Sequence, residues 1–304
     1  MDILNLNESV LGALDFFSKN NPPQLDLSDY SLPFVVGSGN AYNTGTILFS
    51  EKAAIFADES TFKSLLESYK PVIEKGLISQ AIIISASGEK DSVWEIEFAK
   101  QHGLETTLLT CSPNSSAAKI ADKVLAYRKI DEPYTYNVST YLGMILSATE
   151  ENPTKIKSFL ENLNLPENFG AYESYAFVLP DKFASICPML DIKKSELFGP
   201  HVSVRAFPEG HARHAKFVVR SEKELVISIG SKNEYFGKPE SRLEINFPEH
   251  SSFGTILCLT YYLVGKIQES KPPYFKENIE NYCNDYGPRA YGKNDPFEVI
   301  VPGN

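Results

Sequence analysis

The chain has 304 residues, 42% hydrophobic and 22% charged, with 29 lysines and arginines against 39 aspartates and glutamates. A net charge of −10 gives no electrostatic basis for binding nucleic acid or an anionic membrane. No apolar run approaches the roughly 20 residues that span a bilayer, the start has no basic and apolar leader, and Cys111, Cys187, Cys258 and Cys283 form no CxxC pair. The expectation is a cytoplasmic protein with reduced thiols and an ordinary globular core.

Residues 8–19 carry apolar groups at helical spacing, and Asn20-Asn21-Pro22-Pro23 stops that helix. Pro33-Phe34-Val35-Val36 then runs into Gly37-Ser38-Gly39-Asn40-Ala41. A helix is predicted from Tyr42 to Glu51, a strand over Ala53–Ala57, and a helix from Thr61 to Tyr69 capped by Ser60. Ala81-Ile82-Ile83-Ile84 leads into Ser85-Ala86-Ser87-Gly88-Glu89, and a helix follows through Ser92 to Lys100, with Trp94 in the core. Strand Thr106–Thr110, a short helix Ala117–Ala121 and strand Lys123–Tyr127 complete the series. Short apolar runs bounded by turn residues are strands buried on both faces, and their alternation with helical stretches predicts a parallel α/β sheet.

The order of strand types recurs in the second half. Tyr175–Leu179, Val202–Phe207, Glu224–Ser231 and Arg242–Phe247 answer the first four strands of the first half. Two tandem three-layer αβα domains of flavodoxin-like type are therefore expected, residues 1–155 and 156–304, with the seam in a polar stretch near Glu150-Glu151-Asn152-Pro153 or within residues 162–170. Cys258 falls in a predicted core helix, and the polar, glycine- and proline-rich stretch after residue 270 is expected to pack over other parts without a core of its own.

In an open parallel sheet ligands sit beyond the C-terminal strand ends. Two turns of glycine and serine there offer backbone N–H groups and hydroxyls, with a helix N-terminus behind them, and so suit an anion. Glycine and serine after a strand are also ordinary turn chemistry, and it is the pair of turns that points to a phosphate-bearing small molecule. The second copy has Pro180-Asp181 in place of the first turn, so only the first copy looks built for an anion. No stretch completes GxGxxG or GxxxxGK[ST], which disfavours a nucleotide site.

These residues carry a family resemblance. Ser85-Ala86-Ser87-Gly88-Glu89 resembles the serine-x-serine-glycine-glutamate signature of the SIS (sugar isomerase) phosphosugar-binding domain, and Gly37-Ser38-Gly39 resembles its first glycine turn. Residues 112–122 are similar to its third segment, and the duplication resembles double-SIS enzymes such as the isomerase half of glucosamine-6-phosphate synthase and phosphoglucose/phosphomannose isomerases. Ile192-Lys193-Lys194-Ser195-Glu196 resembles the helix that carries the isomerase base. Gly210-His211-Ala212-Arg213-His214 resembles the turn with the ring-opening histidine, and Pro288-Arg289-Ala290-Tyr291-Gly292-Lys293 resembles the C-terminal tail.

The resemblance implies cofactor-free aldose–ketose isomerisation of a hexose, amino-hexose or fructosamine 6-phosphate, or removal of an amine from one. It implies Glu196 as base, His214 as ring opener in the neighbouring copy of a homodimer, and Lys293 closing the site, with Arg289 as a further oxyanion group. Gly37, Ser38, Gly39, Asn40, Ser85, Ser87, Lys90 and Ser92 would hold the phosphate. Ala41, Ala86, Lys90 and His211 depart from the family pattern. The rival reading they support is a phosphosugar sensor without turnover.

Plain readings stand beside these. Lys193 to Glu196 also reads as a solvated charged face. Glu209, His211 and His214 also read as a structural loop or, with His211 and His214 three apart, as part of a metal set, although no further His or Cys cluster completes one. No metal is expected. Tyr134, Tyr136 and Tyr141 mark a helix start, with Ser139 or Thr140 available to face a ligand.

Overall fold

The computed structural model describes residues 3–285 and 296–304. Its elements begin with α1 (Leu6–Phe17), β1 (Phe34–Gly37), α2 (Asn40–Leu48), β2 (Ile55–Ala57), α3 (Phe62–Ile73), β3 (Gln80–Ile84) and α4 (Asp91–Gln101). They continue with β4 (Glu105–Thr110), β5 (Lys123–Ala126), β6 (Glu132–Pro133), α5 (Val138–Thr149), α6 (Pro153–Glu161), β7 (Ser174–Leu179) and α7 (Cys187–Phe198). The last are β8 (Ser203–Pro208), α8 (Glu209–Ala215), β9 (Glu224–Ile229), β10 (Arg242–Ile245), α9 (Phe253–Ser270), α10 (Tyr274–Asp285) and β11 (Ile300–Val301). The α/β class and the parallel sheets are as expected from the alternation of apolar runs and amphipathic stretches.

The residues divide into two compact units that interleave along the chain: Asn20–Ile130 with Ser139–Glu150 and Gly303–Asn304, and Met1–Lys19 with Asp131–Val138 and Glu151–Pro302. The first holds a five-stranded sheet in the order β2-β1-β3-β4-β5, all neighbours parallel. Phe34, Val36, Ala81, Ile83 and Leu108 on one face pack with Phe62, Leu66, Ile96 and Ala99 of α3 and α4. On the other face Gly45 of α2 lies so close that a Cβ there would meet Val35 Cγ1 at 2.6 Å. Ile82, Ile83 and Ile84 are all but fully buried, and each such side chain contributes roughly 1.5–3 kcal/mol.

The second unit holds a parallel sheet in the order β10-β9-β7-β8, the first four-strand order repeated, and a small antiparallel pair of β6 and β11. Helix α9 is its buried spine, carrying Cys258 as expected, and Glu151 caps its start by accepting from Ser252 N, Gly254 N, Thr255 N and Thr255 Oγ1 at 2.6–3.0 Å. All four cysteines are buried and none forms a disulfide. Among the described residues no helix is long and apolar enough to cross a membrane.

Local details differ from expectation where side chains compete for backbone groups. Residues 117–121 form successive turns and no helix, because Ser115 Oγ and Gly88 O take the Ala118 and Ala117 amides. Asp58, not Ser60, organises the start of α3, its Oδ1 accepting from Ser60 N and Thr61 N and from both hydroxyls. Trp94 is half-buried at the edge of the core, its Nε1 donating to Asp91. The polar stretch after residue 270 yields α10, which buries Phe275, Ile279 and Cys283 at helical spacing.

Candidate functional site

In the five-stranded sheet the chain leaves β1 for a helix on one face and β3 for a helix on the other. The order 2-1-3-4-5 makes the gap between β1 and β3 a topological switch point, where open α/β sheets bind ligands. Both glycine-serine turns lie there. The residue before α2 is Gly39, with φ 56° and ψ −120°, and the residue before α4 is Lys90, with φ 59° and ψ −124°. Glycine adopts this conformation readily, and a lysine held there stores roughly 1–3 kcal/mol of strain. Neither helix start is capped by a side chain, so the twin turns leave first-turn amides without side-chain partners.

The side chains of the turns are disposed as follows. Ser38 and Gly39 are exposed, and Asn40 is buried with its Oδ1 unpartnered. Ser85 Oγ accepts from Gly88 N at 3.1 Å, and Ser87 Oγ accepts from Glu89 N at 3.4 Å. Ser92 is buried, its hydroxyl donating to Glu89 O at 2.8 Å. Gly88 has φ +60°, and a Cβ there would lie 2.0 Å from Ser115 Oγ, so this turn requires glycine. Ser87 and Glu89 also line a cavity of about 720 Å³ with Ser112, Asn114, Ser115 and Asn304.

Within the other unit, Glu196 on α7 lines a cavity of about 530 Å³. Its side chain is 23% exposed, while Lys193, one turn earlier, is fully buried. The solvated charged face is therefore not what forms here. Lys193 Nζ sits 2.6 Å from Glu196 Oε2 and donates to Thr135 O at 2.5 Å. Glu196 Oε1 takes no hydrogen bond among the described residues. Burial pushes the Glu196 carboxyl above its usual range, with Lys193 opposing that rise. A carboxylate so placed is oriented by one oxygen and available through the other, which suits a general base.

His211 and His214, on and at the end of the short α8, are exposed and line a separate cavity of about 400 Å³ with Asp181, Gly210 and Arg213. The fold thus does not bring His214 into the cavity of Glu196. Glu209 begins α8, and among the described residues no group of three or more His, Cys, Asp or Glu could hold a metal. Lys293 and Arg289 lie outside the described residues. Ser139 and Thr140 are buried, and Ser139 Oγ accepts from Ile130 N.

Three groups at the Glu196 cavity were not singled out from the sequence. Thr135 holds φ 75°, rare for a β-branched residue, and its Oγ1 is buried without a partner. His201 stacks on Tyr274, ring centres 4.2 Å apart and planes within 7°. A fourth missed group, Glu95 on α4, is buried with Oε1 unpartnered. A glutamate inside the apolar run Trp94–Ile96 was the signal for it; nothing local marks Thr135.

No family model and no curated protein matches this sequence. Among solved structures it is similar to the C-terminal domain of glucosamine-fructose-6-phosphate aminotransferase from Francisella tularensis, at 14% identity and TM-score 0.58, over 88% of this chain and 93% of that one. It is also similar to glucosamine-6-phosphate deaminase from Thermotoga maritima, at 13% identity and TM-score 0.57, over 86% of this chain and 92% of that one. Tagatose-6-phosphate ketose/aldose isomerase from Escherichia coli aligns at 12% identity and TM-score 0.56, over 88% and 89%. At these identities the likeness is one of fold. The layered α/β fold is that of SIS-type phosphosugar isomerase structures.

Proposed function

We propose that this chain binds a hexose, amino-hexose or fructosamine 6-phosphate and moves a proton between its first two carbons, as an aldose–ketose isomerase or as an enzyme in which the imine so formed is hydrolysed by water, releasing the amine and leaving a carbonyl. The observation that carries this reading is the pair of uncapped helix starts, Gly39 and Lys90, in one backbone conformation on either side of the β1/β3 switch point. Backbone amides of Ser38 to Asn40 and of the Ser85–Ser92 turn, with Ser38, Ser87 and the Lys90 charge, hold the phosphate. The Asn40 amide turns its N–H group toward the anion, its oxygen and nitrogen being interchangeable by a half-turn.

Glu196 is the base. Its carboxylate takes the proton from the carbon beside the carbonyl, an enediolate forms, and the same proton returns to the neighbouring carbon, so nothing is oxidised overall and no cofactor is needed. A carboxyl that burial raises above its usual range is a better proton carrier for both halves of that transfer. On this reading the double-SIS form is a cytoplasmic homodimer, since His214 lines a cavity other than that of Glu196 and opens the sugar ring in the site of the other copy.

The test is a thermal-shift panel of 6-phosphates beside the unphosphorylated sugars, followed by turnover assays of the best ligand. Stabilisation of about 2.7 kcal/mol is expected from a phosphosugar at 100 times its Kd, and none from its sugar. Equal stabilisation by the two, or by neither, removes the reading. Binding without turnover in the unaltered protein leaves a phosphosugar sensor instead.

A further inference from the structure

The Ser85–Lys90 turn leans on one segment, Thr110 to Ala117. Cys111 N and Thr110 Oγ1 both donate to Ala86 O, at 3.0 and 3.2 Å, and Ala117 N donates to Gly88 O at 3.0 Å. Ser116 N donates to the Glu89 carboxylate at 3.0 Å, and Ser115 fills the space that a side chain at Gly88 would need. Groups joined at this many points move together, so the backbone of the turn follows the backbone of the segment.

The segment starts where β4 ends, beside β5, the edge strand of the sheet, whose residues Lys123 to Ala126 are mostly exposed. An edge strand with little burial has few apolar contacts to fix where it ends. Tyr127 N donates to Thr110 O at 2.8 Å, and Asn304 makes the remaining ties. Its Nδ2 donates to Cys111 O, after β4, and to Tyr127 O, after β5, while its Oδ1 accepts from Lys129 N at 2.7 Å and its N donates to Lys129 O at 3.2 Å. Cys111 is thus shared: its N–H braces the turn and its carbonyl is held by Asn304. All of these residues belong to one compact unit, and Asn304 lines the 720 Å³ cavity with Ser87 and Glu89 of the turn. An amide suits this place, because one end must donate to two carbonyls while the other accepts from an amide. We propose that Asn304 is a positioning residue for the candidate anion turn: through Cys111 it sets the backbone of residues 86–90 and with it the affinity of that turn for a phosphate group. The affinity part rests on the phosphosugar reading above, and the backbone part does not.

The experiment compares Asn304→Ala and Asn304→Asp with Glu151→Gln, which loosens the start of α9 in the other unit and reports destabilisation alone. Amide hydrogen exchange is followed over residues 86–90, with residues 39–41 as the internal reference. Affinity is measured by calorimetric titration with inorganic phosphate and with fructose 6-phosphate. Asn304→Ala is expected to speed exchange at 86–90 about tenfold, to leave 39–41 unchanged and to weaken both ligands about tenfold. Asn304→Asp is expected to do more, because a carboxylate oxygen then faces the Cys111 and Tyr127 carbonyls with no proton to donate. Glu151→Gln is expected to lower the melting temperature and change neither readout.

Unchanged exchange at 86–90 in both Asn304 variants overturns the inference and leaves the phosphosugar reading standing. Equally fast exchange there in Glu151→Gln also overturns it, since lost stability then accounts for the effect. Faster exchange in the Asn304 variants with unchanged affinity overturns the coupling to the ligand. Faster exchange confined to those variants, in a protein whose unaltered form binds neither ligand, upholds the positioning of the turn and removes the phosphate reading.

Discussion

The two parallel sheets share one strand order and end differently. After β1 and β3 the chain enters helices whose starts no side chain caps. After β7 it enters Pro180-Asp181, and Asp181 Oδ1 accepts from Gly210 N at 2.7 Å, placing a carboxylate of the protein at the start of α8. Between β9 and β10 there is no α-helix, only a 3₁₀ turn at Pro239–Ser241. Asn233 there accepts from Tyr235 N and Phe236 N, and the Arg242 guanidinium donates to the carbonyls of Asn233, Phe236 and Gly237. At the first sheet's end the two helix starts have no side-chain cap, whereas at the second sheet's end the Asp181 carboxylate and the Asn233 loop take up the amides named above. A shared strand order therefore does not fix which turn groups stay uncommitted.

That contrast can be broken in several ways. The largest effect is expected from Glu196→Gln, which keeps shape and removes the carboxylate proposed as base. Turnover should fall about 10³-fold with ligand affinity nearly unchanged, the usual cost of losing a general base. Retained turnover would move the chemistry away from the second unit. The acidic limb of the rate profile should also lie above the ordinary carboxylate range, as the raised Glu196 requires, and Lys193→Met should move it higher still, read as kcat/KM against pH.

The next effect concerns the first sheet. Glu95 is pushed up to about 8, first by burial and then by Asp91, Glu59 and Asp58. In the unfolded chain a glutamate ionises near 4.5, so between these values the folded state holds the extra proton and stability falls as pH rises. The contribution is fully present below about 4.5 and lost through about 8, on the order of 5 kcal/mol. Glu95→Gln should flatten the fall in melting temperature between pH 5 and pH 8. An unchanged slope would place the titration elsewhere.

Lys90→Gly sharpens the comparison by separating strain from charge. It relieves the φ of 59° and should stabilise the chain by about 1 kcal/mol in denaturant titration, while phosphosugar affinity drops about tenfold with the lost cation. A variant that is neither stabilised nor weakened in binding would make that turn structural. The smallest effect is expected at the closed end. Asp181→Asn weakens the bond to Gly210 N and should cost about 1 kcal/mol without creating a phosphate site, because the Asn233 loop remains satisfied. Phosphate binding gained there would show that Asp181 alone kept that end closed.

Much of this was legible along the chain. Continuous apolar runs such as Ala81–Ile84 announce buried strands, and the glycine-serine turns announce their ends, because both signals are local. Gly88 was readable as a turn residue, though not that its lack of a side chain makes room for Ser115. The short helix over residues 117–121 failed because amides that would have propagated it are taken by groups nearly thirty residues away, such as Gly88 O. Glu196 was readable as a motif and equally as surface charge. Only the fold removed the second reading, by burying Lys193.

By itself the sequence determined the α/β class, the recurrence of strand types and the positions of the two candidate anion turns, since backbone preference and hydrophobic period are properties of neighbouring residues. Tertiary structure decided the rest. Strand order set β1 beside β3 and so paired turns nearly fifty residues apart. Packing joined Lys193 to Thr135, 58 residues earlier, and brought aromatic rings of α7 and α10 around Glu196. Such contacts depend on which surfaces meet when apolar faces are buried, and no stretch of chain read alone records its partner.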